Sequence, residues 1–308
     1  MSSHPSVAGI RLCLGGNVFG WTASEDESFA VLDKFYEAGG RMVDTAQGYS
    51  VWAPGHVGGE SEAVIGKWLE SRGIRAEMRI GTKTGMMGQA GDLAPAKVAE
   101  ELDKSLERLR TDYVDLYYAH RDDQSVPLAE AAAGFDVLVK AGKVREIGAS
   151  NYTADRLSAA IDAAREAGLT PFTVLQNEYN LVRRDEYEGA VQDLCVAQGI
   201  AALPYFGLAS GFLTGKYRTT ADFEKSARGS GMDRFFEKGL PILAVMDAIS
   251  GETGASLAAI ALAWINAQPG IAAPIASART PEQLDALLEA TTLELEDDQL
   301  ARLTAAGS

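Results

Sequence analysis

The stretch RMVDTAQGYS (residues 41–50) begins as a strand and ends in a loop that carries an acid and a phenol. Met42 and Val43 are apolar and predict a buried strand, and Asp44 stands where that strand should stop. Tyr49 follows among small, flexible neighbours. Turn chemistry explains an Asp at a strand end, because its side chain bonds nearby backbone, but it does not explain the phenol.

The same strand-and-helix pattern recurs along the chain. Short apolar runs predict strands, and amphipathic stretches between them predict helices. The predicted strands cover residues 11–14, 42–44, 78–82, 114–118, 144–149, 173–176, 201–204 and 271–275. Such alternation predicts a parallel sheet, which can be an open doubly wound sheet or a closed (β/α)8 barrel.

The predicted helices have recognisable start signals. Ser24 and Glu27 form a capping box before an apolar stripe, and Pro95 fits the first turn of another helix, which runs through Leu109. Further helices are predicted over residues 60–69, 128–141, 154–167, 186–198, 241–250, 256–267 and 281–290. A long irregular segment, residues 206–239, is expected to be functional, because loops that only connect two elements are usually shorter.

Several features favour the closed barrel over the open sheet. The first predicted strand leads into LGGNVFG (residues 14–20), which lacks the G-x-G-x-x-G spacing of an open dinucleotide-binding sheet. The eight predicted strands and the length of 308 residues suit a barrel, and no Pro/Gly/Ser-rich linker divides the chain. The prediction is a single-domain (β/α)8 TIM barrel over residues 1–308.

The composition is that of an ordinary globular protein, with 46% hydrophobic and 23% charged residues. A formal charge of −15 disfavours nucleic acid and anionic membrane as partners, but it leaves room for an anionic small ligand in a basic pocket. No signal peptide and no apolar run of roughly 20 residues is visible, so we expect a cytoplasmic location. Nothing in the sequence marks an oligomer interface.

Cysteine and histidine are too few and too scattered for a metal site. Cys13 and Cys195 are the only cysteines, and His4, His56 and His120 have no ligand spacing. We expect neither a disulfide framework nor a bound metal.

In a barrel, side chains at the carboxyl ends of the strands converge on one mouth. Asp44 ends the second strand, Lys83 follows the third in RIGTKTG, and His120 follows the fourth in DLYYAHRDD. Tyr49 lies in the loop after the second strand and brings the number of ionisable groups at this mouth to four. Taken singly, these residues are a turn acid, a solvated lysine, a structural histidine and a packing tyrosine.

The chain resembles the aldo-keto reductases over nearly its whole length. The matching motifs are VDTAQGYS, GGESEAVIGKWL, GTKTG, DLYYAHRDD, KVREIGASNY, QNEYN, PYFGLASGFLTGKY and SARTPEQL, each weak alone and highly specific together and in order. The resemblance implies a (β/α)8 barrel, usually NADPH as cofactor, and interconversion of a carbonyl and an alcohol. It places the catalytic tetrad of the family on Asp44, Tyr49, Lys83 and His120.

These four residue types suit the reduction of a carbonyl, which leaves an alkoxide that needs a proton. Tyrosine ordinarily has a pKa of about 10, so it needs a nearby cation to become a usable acid. Lys83 is the predicted cation for Tyr49, and Asp44 is the counter-ion that lets a buried lysine keep its charge. His120 is predicted to hydrogen-bond and orient the substrate oxygen.

The resemblance also implies a cofactor site along the later strands. It assigns the nicotinamide carboxamide to Ser150, Asn151 and Gln176, and the stack on the nicotinamide ring to Tyr205. One departure is the sequence PYFGL at residues 204–208, where the family often has PYSPL. The implied cofactor contacts are Gly16, Asn17, Ser150, Asn151, Gln176, Tyr205, Leu208, Gly211, Leu213, Gly215, Lys216, Ile275, Ala276, Arg279 and Gln283.

Arg279 predicts a preference for NADP(H) over NAD(H). It precedes Thr280, a good N-cap, and Gln283 completes a pattern similar to a capping box. A cation at a helix start opposes the helix dipole unless an anion binds there, and the family places the 2′-phosphate of NADP at this position. Gln283 is expected to face the adenine, although Leu287 stands where the family often has Asn.

The predicted substrate pocket has aromatic walls, Phe19, Trp21 and Trp52, with Arg121 beside the tetrad histidine. Such walls suit a small-molecule aldehyde, ketone or sugar-like carbonyl. Two other functions stay open. One is a Schiff-base lyase with Lys83 as the amine nucleophile, and the other is a cofactor-binding sensory or regulatory subunit with little turnover.

Overall fold

The computed structural model describes residues 4–86, 89–225 and 231–307. Short strands lie parallel in one sheet, and helices alternate with them along the chain. The strands are β1 Cys13–Gly15, β2 Met42–Asp44, β3 Arg79–Thr84, β4 Val114–Ala119, β5 Val144–Ser150, β6 Val174–Gln176, β7 Ala201–Ala202 and β8 Ile275–Ala276.

Helices pack beside one another along the sheet, with α2 against α3, α3 against α4 and α4 against α5. The α-helices of the described residues are α1 Glu25–Glu37, α2 Glu60–Arg72, α3 Pro95–Leu109, α4 Leu128–Lys140, α5 Ala154–Glu166, α6 Ala190–Gln198, α7 Asp233–Thr253, α8 Leu257–Asn266, α9 Pro281–Glu289 and α10 Asp297–Ala306. Short 3-10 helices cover Arg75–Glu77, Ala209–Thr214 and Thr220–Lys225.

The two ends of the sheet meet and close it. The strand order is β7-β6-β5-β4-β3-β2-β1-β8, with parallel pairing throughout. Ala202 of β7 donates its N–H to Gly270 O (2.9 Å) and accepts from the N–H of Ala272 (2.8 Å). Ile275 of β8 donates to Pro204 O (2.8 Å). These bonds join β7 to the segment that enters β8, so the predicted (β/α)8 barrel is confirmed.

The barrel interior holds a small apolar cluster that is separate from the larger layer between sheet and helices. Residues 4–10 cover the amino-terminal end of the barrel, where Ser6 Oγ donates to Asp115 O (2.8 Å) and the Arg79 guanidinium donates to Ala8 O (2.7 Å). The carboxyl ends of the strands, with Asp44 and Lys83, therefore lie at the opposite end of the barrel. The interior cluster comprises Val7, Cys13, Met42, Leu116, Tyr118, Val174, Ala201, Leu203 and Ile275.

The predicted start signals act as expected at α1. Ser24 accepts from the N–H of Glu27, and the Glu27 carboxylate accepts from the N–H of Ser24. This reciprocal pair satisfies donors that the first helical turn leaves free.

The start of α7 differs from the prediction. We expected a helix from Pro241, but α7 already begins at Asp233 and Pro241 lies inside it. Gly239 presses against the ring of Phe212, since a Cβ at Gly239 would lie 2.2 Å from it. This packing holds the turns before the proline in helical form. Of the irregular segment predicted over residues 206–239, residues 226–230 lie outside the described residues.

Two other helix predictions need correction. Helix α6 begins at Ala190 and not at residue 186, because Gly189 has a φ of 81°, which a right-handed helix does not allow. Helix α10 was not predicted, although Glu296 and Gln299 form a capping box at its start.

No single helix of the described residues is long and apolar enough to cross a bilayer. Helices α7 and α8 pass that length and composition test only as a pair, and they meet at an angle of 98°.

Candidate active site

A lysine, an acid and a phenol meet at the mouth of the barrel. Lys83 Nζ lies 2.5 Å from Asp44 Oδ2 and 3.0 Å from the Tyr49 hydroxyl oxygen. The Tyr49 hydroxyl donates to the same Asp44 oxygen over 3.2 Å. Asp44 ends β2 as predicted, whereas Lys83 lies within β3 and not after it. The structure thus brings three of the four predicted tetrad residues into direct contact.

Burial sets the proton affinities of this group. Lys83 and Asp44 are fully buried. Burial lowers the pKa of Lys83 from its usual range, and the neighbouring Asp44 charge opposes that shift. Burial also raises the pKa of Tyr49 well above its usual range, and the Asp44 carboxylate raises it further. We expected Lys83 to lower the pKa of Tyr49, but burial and the Asp44 charge outweigh that effect in the protein without ligands. The phenol therefore keeps its proton.

The charged pair has a complete set of hydrogen bonds. Lys83 Nζ donates its third bond to Thr45 O (2.8 Å), which uses all three ammonium hydrogens. The second oxygen of Asp44, Oδ1, accepts from Nε2 of Gln176 on β6 (3.0 Å). Gln176 is buried, and its amide, which was predicted to hold the nicotinamide carboxamide, already uses one N–H to bond Asp44.

His120 completes the predicted tetrad at a greater distance. His120 follows β4 directly, and its backbone N–H donates to Thr84 O (2.7 Å). The centroid of its imidazole ring lies 6.3 Å from that of the Tyr49 ring. Burial lowers the pKa of His120 well below its usual range, and the Lys83 charge lowers it further. The buried Nδ1 has no partner among the described residues, so the proton of the neutral ring is better placed on Nε2.

A second polar network follows β5. The Asn151 amide nitrogen donates to His120 O (2.9 Å), and its oxygen accepts from the Tyr205 hydroxyl (2.7 Å). Burial raises the pKa of Tyr205 to about 12, so that hydroxyl stays a donor. Ser150 Oγ donates to Gln176 O (2.6 Å). The predicted carboxamide contacts and the predicted stacking ring are therefore neighbours.

At the carboxyl end of β1 the predicted cofactor contacts already have partners. The N–H of Gly16 donates to Asp44 O (2.7 Å), and Gly16 O accepts from Ser61 Oγ (2.7 Å). Asn17 Oδ1 accepts from Ser277 Oγ (2.6 Å), which links the loop after β1 to the end of β8.

The segment after Tyr205 folds into tight turns. The N–H groups of Gly211 and Leu213 both donate to Leu208 O, at 2.8 and 3.2 Å. The side chain of Leu213 is fully buried, so a contact with a cofactor at this position would have to come from its backbone. Gly215 has a left-handed backbone, with a φ of 79°. The predicted contacts Ile275 and Ala276 form β8 and are buried in the barrel wall.

Two cations at the rim of the mouth have open guanidinium or ammonium groups. Arg279 and Lys216 are exposed, and neither side chain makes a hydrogen bond or an ion pair to any described residue. Thr280 caps α9 by accepting from the Gln283 N–H, as predicted. The carbonyl oxygen of the Gln283 side chain accepts from the N–H of Arg279 (3.1 Å), so this amide turns toward the helix start.

Aromatic side chains form one wall beside Tyr49. The Trp52 ring is 46% exposed and lies edge-on to both Trp21 and Tyr49, with centroid distances of 5.5 and 6.2 Å. Phe19 was predicted as a third wall, and its side chain is fully buried in the core, away from the exposed face of Trp52. Arg121 is exposed, and its charge acts on the neighbouring His120.

Comparison with known proteins identifies the family. A family profile described as "Aldo/keto reductase family" matches residues 11–308. The chain belongs to the aldo/keto reductase family.

Several relatives of this aldo/keto reductase have names that state an oxidoreductase activity. Norsolorinic acid reductase stcV of Emericella nidulans is 33% identical, with 96% of this chain and 78% of that protein covered. Aryl-alcohol dehydrogenase [NADP(+)] of Phanerodontia chrysosporium is 32% identical, with 91% and 75% covered. Aldo-keto reductase YhdN of Bacillus subtilis is 33% identical, with 93% and 85% covered.

The sequence did not reveal the support beneath the charged pair of this aldo/keto reductase. Tyr118 on β4 reaches into the barrel, with its ring centroid 5.7 Å from Lys83 Nζ. Gly148 on β5 leaves room for that ring, since a Cβ there would lie 2.6 Å from it. The period-2 alternation of a strand places Tyr118 on the same face as Leu116 and predicts its inward direction. Nothing in the sequence predicts the contact with Lys83.

The family motif GGESE also has a physical role. Ser61 Oγ bonds both Thr45 Oγ1 (2.8 Å) and Gly16 O, which ties the start of α2 to the loops after β1 and β2. The buried Glu62 accepts from Thr82 Oγ1 (2.5 Å) and pairs with Arg108 (2.7 Å). Helix α2 thereby fixes the strand ends that carry the tetrad. The described residues contain no group of three or more His, Cys, Asp or Glu side chains that could hold a metal ion.

Proposed function

We propose that this aldo/keto reductase uses NADPH to reduce an aldehyde, a ketone or a sugar-like carbonyl to the alcohol, with Tyr49 as the proton donor. The single observation that carries the proposal is the placement of Lys83 Nζ between Asp44 Oδ2 (2.5 Å) and the Tyr49 hydroxyl (3.0 Å). A phenolate is stabilised where a fixed cation lies within hydrogen-bond distance. The oxidoreductase names of the relatives point the same way.

The proton step follows from these contacts. NADPH, when bound against Tyr205 and Arg279, would supply the hydride for the new C–H bond at the carbonyl carbon. Tyr49 gives its proton to the carbonyl oxygen, so the alcohol O–H forms and a phenolate is left. Lys83 lies next to that phenolate and offsets the new negative charge. Its own charge is balanced by Asp44, so the charged group stays inside the protein throughout.

His120 suits the role of a neutral donor to the substrate oxygen. Its lowered pKa keeps the ring uncharged near neutral pH. With Nδ1 buried and without an acceptor, the proton on Nε2 is the one that can reach a ligand. A neutral donor orients a carbonyl without placing a second positive charge beside Lys83.

The residues of the rim fit a phosphorylated dinucleotide. Arg279 and Lys216 are exposed cations that form no ion pair among the described residues, although the Arg279 charge attracts the Glu27 carboxylate, and the chain has a formal charge of −15. Arg279 precedes the start of α9, where helix amides and the dipole favour an anion. We assign the 2′-phosphate of NADPH to Arg279, and this assignment supports NADP(H) over NAD(H). Tyr205, held by Asn151, is the surface on which the nicotinamide would stack.

The substrate side is aromatic. Trp21 and Trp52 form an edge-to-face pair beside Tyr49, and an indole exposed to this extent gains from covering by a flat ligand. Relatives are named for an aryl alcohol and for norsolorinic acid. We therefore place aryl aldehydes and aryl ketones first among the carbonyls to be tested.

A lyase that forms a Schiff base on Lys83 fits the site less well. The amine of Lys83 is fully buried, and all three of its hydrogens are bonded to protein oxygens. A nucleophilic lysine needs a free lone pair and access to the substrate. A regulatory subunit without turnover would have no use for a complete Asp44–Lys83–Tyr49 arrangement.

The test is oxidation of NADPH with a panel of aryl, aliphatic and sugar-like carbonyls, measured for the natural protein and for Tyr49→Phe. We expect Tyr49→Phe to lower kcat by at least about 100-fold, because general acid catalysis contributes that much. NADPH affinity, measured by fluorescence quenching, should stay nearly the same. The matched control is Tyr36→Phe, which removes a surface hydroxyl bonded to Glu77. Turnover by Tyr49→Phe at the natural rate would refute the assignment.

A further inference from the structure

The side-chain amide of Gln176 has two candidate partners, the cofactor and the Asp44 carboxylate. The resemblance to the family assigns this side chain to the nicotinamide carboxamide. In the structure its Nε2 lies 3.0 Å from Asp44 Oδ1, across the barrel from β6 to β2. Both side chains are buried, with 2% and 1% of their surface exposed. The contact therefore joins two interior groups that are 132 residues apart in sequence.

The orientation of the amide follows from the charge of its partner. A carboxylate that faces the Lys83 ammonium has only acceptor oxygens. The atom of Gln176 nearest Asp44 must then be the NH2 group, whichever way the amide is drawn. The Gln176 side chain also makes a polar contact with the Tyr118 side chain, so the amide is held from two sides.

The two carboxylate oxygens of Asp44 accept hydrogen bonds from different donors. Oδ2 takes both the Lys83 ammonium and the Tyr49 hydroxyl, at 2.5 and 3.2 Å. Oδ1 has Gln176 as its hydrogen-bond donor among the described residues. If that donor were lost, Oδ1 would be a buried carboxylate oxygen without a partner, which is costly. The carboxylate would relieve that cost by rotating toward Lys83, and this rotation would draw the ammonium away from Tyr49.

The arm that carries the amide is itself rigid. Gln176 ends β6, and its backbone oxygen accepts from Ser150 Oγ (2.6 Å) and from the N–H of Asn151 (3.3 Å). Strand β6 is paired with β5 at this same residue, where Ser150 faces Gln176. A donor fixed on a strand sets a partner's orientation more tightly than a donor on a loop.

We propose that Gln176 is a positioning residue for proton transfer, which holds the Asp44 carboxylate so that Lys83 stays within hydrogen-bond distance of Tyr49. The proposal rests on the proposed reduction of a carbonyl by this site. It gives Gln176 a role that acts through Asp44 and is separate from any contact with a cofactor.

The kinetic test compares Gln176→Met with the natural protein at saturating NADPH. Methionine has a similar length but no donor, so the loss of a hydrogen bond to a charged group should lower kcat by roughly 10-fold or more. KM for the carbonyl should change by less than about 2-fold, because Gln176 does not touch the substrate wall. A kcat at saturating NADPH that equals the natural value, with only NADPH affinity weakened, would overturn the proposal and leave Gln176 a cofactor contact.

A spectroscopic test does not depend on turnover or on the folding of Gln176→Met. Side-chain amide protons that bond a carboxylate resonate downfield and exchange slowly, and the Gln176 signals can be assigned in the natural protein by through-bond correlation to the Gln176 backbone amide. We expect these signals in the natural protein and expect them to persist when NADP+ is added. Signals at free-amide positions, before or after NADP+, would refute the positioning role. If the natural protein reduces no carbonyl, the proposed function fails, whereas this measurement still decides whether Asp44 holds Gln176.

Discussion

Two groups of residues carry positive charge at the mouth of one barrel, and they differ in burial. One is the tetrad, which consists of Asp44, Tyr49, Lys83 and His120. The other is the open rim, which consists of Arg279 and Lys216. Lys83 is fully buried, and each of its ammonium hydrogens meets an oxygen of the protein. The cations of the open rim are exposed and have no bonded partner among the described residues. Folding alone completes the charge balance of the tetrad, whereas the open rim leaves its charges for a ligand.

This difference follows from the cost of burying charge. A charge taken out of water must be paired and hydrogen-bonded, so the tetrad is built with its counter-ion in place. An exposed cation keeps its hydration and needs no counter-ion for folding. It is therefore available to attract an anionic ligand when one binds. The tetrad is therefore expected to govern rate and stability together, and the open rim to govern affinity alone.

Removing the buried cation should produce the largest effect. Lys83→Met leaves the Asp44 carboxylate buried without its ion pair, which should lower the free energy of unfolding by about 3–5 kcal/mol. The same change removes the cation beside the Tyr49 hydroxyl, so kcat should fall by roughly 100-fold or more. Urea denaturation and NADPH oxidation at saturating substrate measure the two effects.

The matched control for this substitution is Lys67→Met. Lys67 pairs with Glu25 on the surface, with 44% and 47% of the side chains exposed. Such pairs contribute about 0–1 kcal/mol, so the control should unfold almost as the natural protein does. If Lys83→Met were as stable as Lys67→Met, the tetrad would not depend on its ion pair, and the contrast with the open rim would disappear.

Arg279→Ala should affect affinity and leave stability unchanged. We expect the Kd for NADPH to rise by roughly 10-fold or more, because a charge-assisted hydrogen bond to a phosphate is lost. The Kd for NADH, which has no 2′-phosphate, should change by less than about 2-fold. The melting temperature without ligand should not fall, since a cation at the start of α9 opposes the helix dipole. Titrations followed by fluorescence give both constants.

Arg11→Ala serves as the control for charge alone. Arg11 is exposed before β1, at the amino-terminal end of the barrel, so this substitution changes the net charge equally but far from the rim. Equal weakening of NADPH and NADH in Arg279→Ala, or equal effects of the two substitutions on NADPH, would remove Arg279 from the phosphate site.

The sequence predicted the tetrad better than its surroundings, for a geometric reason. Asp44 and His120 could be placed because strand ends in a parallel barrel converge on one mouth. The same rule placed Lys83 at the mouth, although it lies within β3. The bond between Gln176 and Asp44 could not be predicted, because it spans the barrel between strands that are not neighbours. Such contacts depend on barrel closure, which no local pattern encodes.

Departures from the predicted helices and pocket walls have a similar origin. Pro241 has the sequence of a first-turn proline, yet the packing of Gly239 on Phe212 extends α7 before it. Phe19 has the residue type of a pocket wall, but its direction is set by the turn after β1, which sends it into the core. Residue type could be inferred at both positions, whereas direction and tertiary packing could not.

The smallest predicted effect concerns the pH dependence of stability, and it tests whether the fold holds His120 in its neutral form. The folded protein keeps His120 neutral, because burial holds its pKa well below the usual range, whereas an unfolded histidine takes up a proton near pH 6.5. The unfolded state then binds more protons as pH falls below about 6.5, so stability should decrease by up to about 1.4 kcal/mol per pH unit. His120→Gln should lose less stability between pH 7 and pH 5, since glutamine does not titrate. His56→Gln, a substitution at the partly exposed His56 near Glu60, provides the control. Parallel loss of stability in the natural protein and in His120→Gln, followed by urea denaturation at each pH, would show that His120 is not held neutral by the fold.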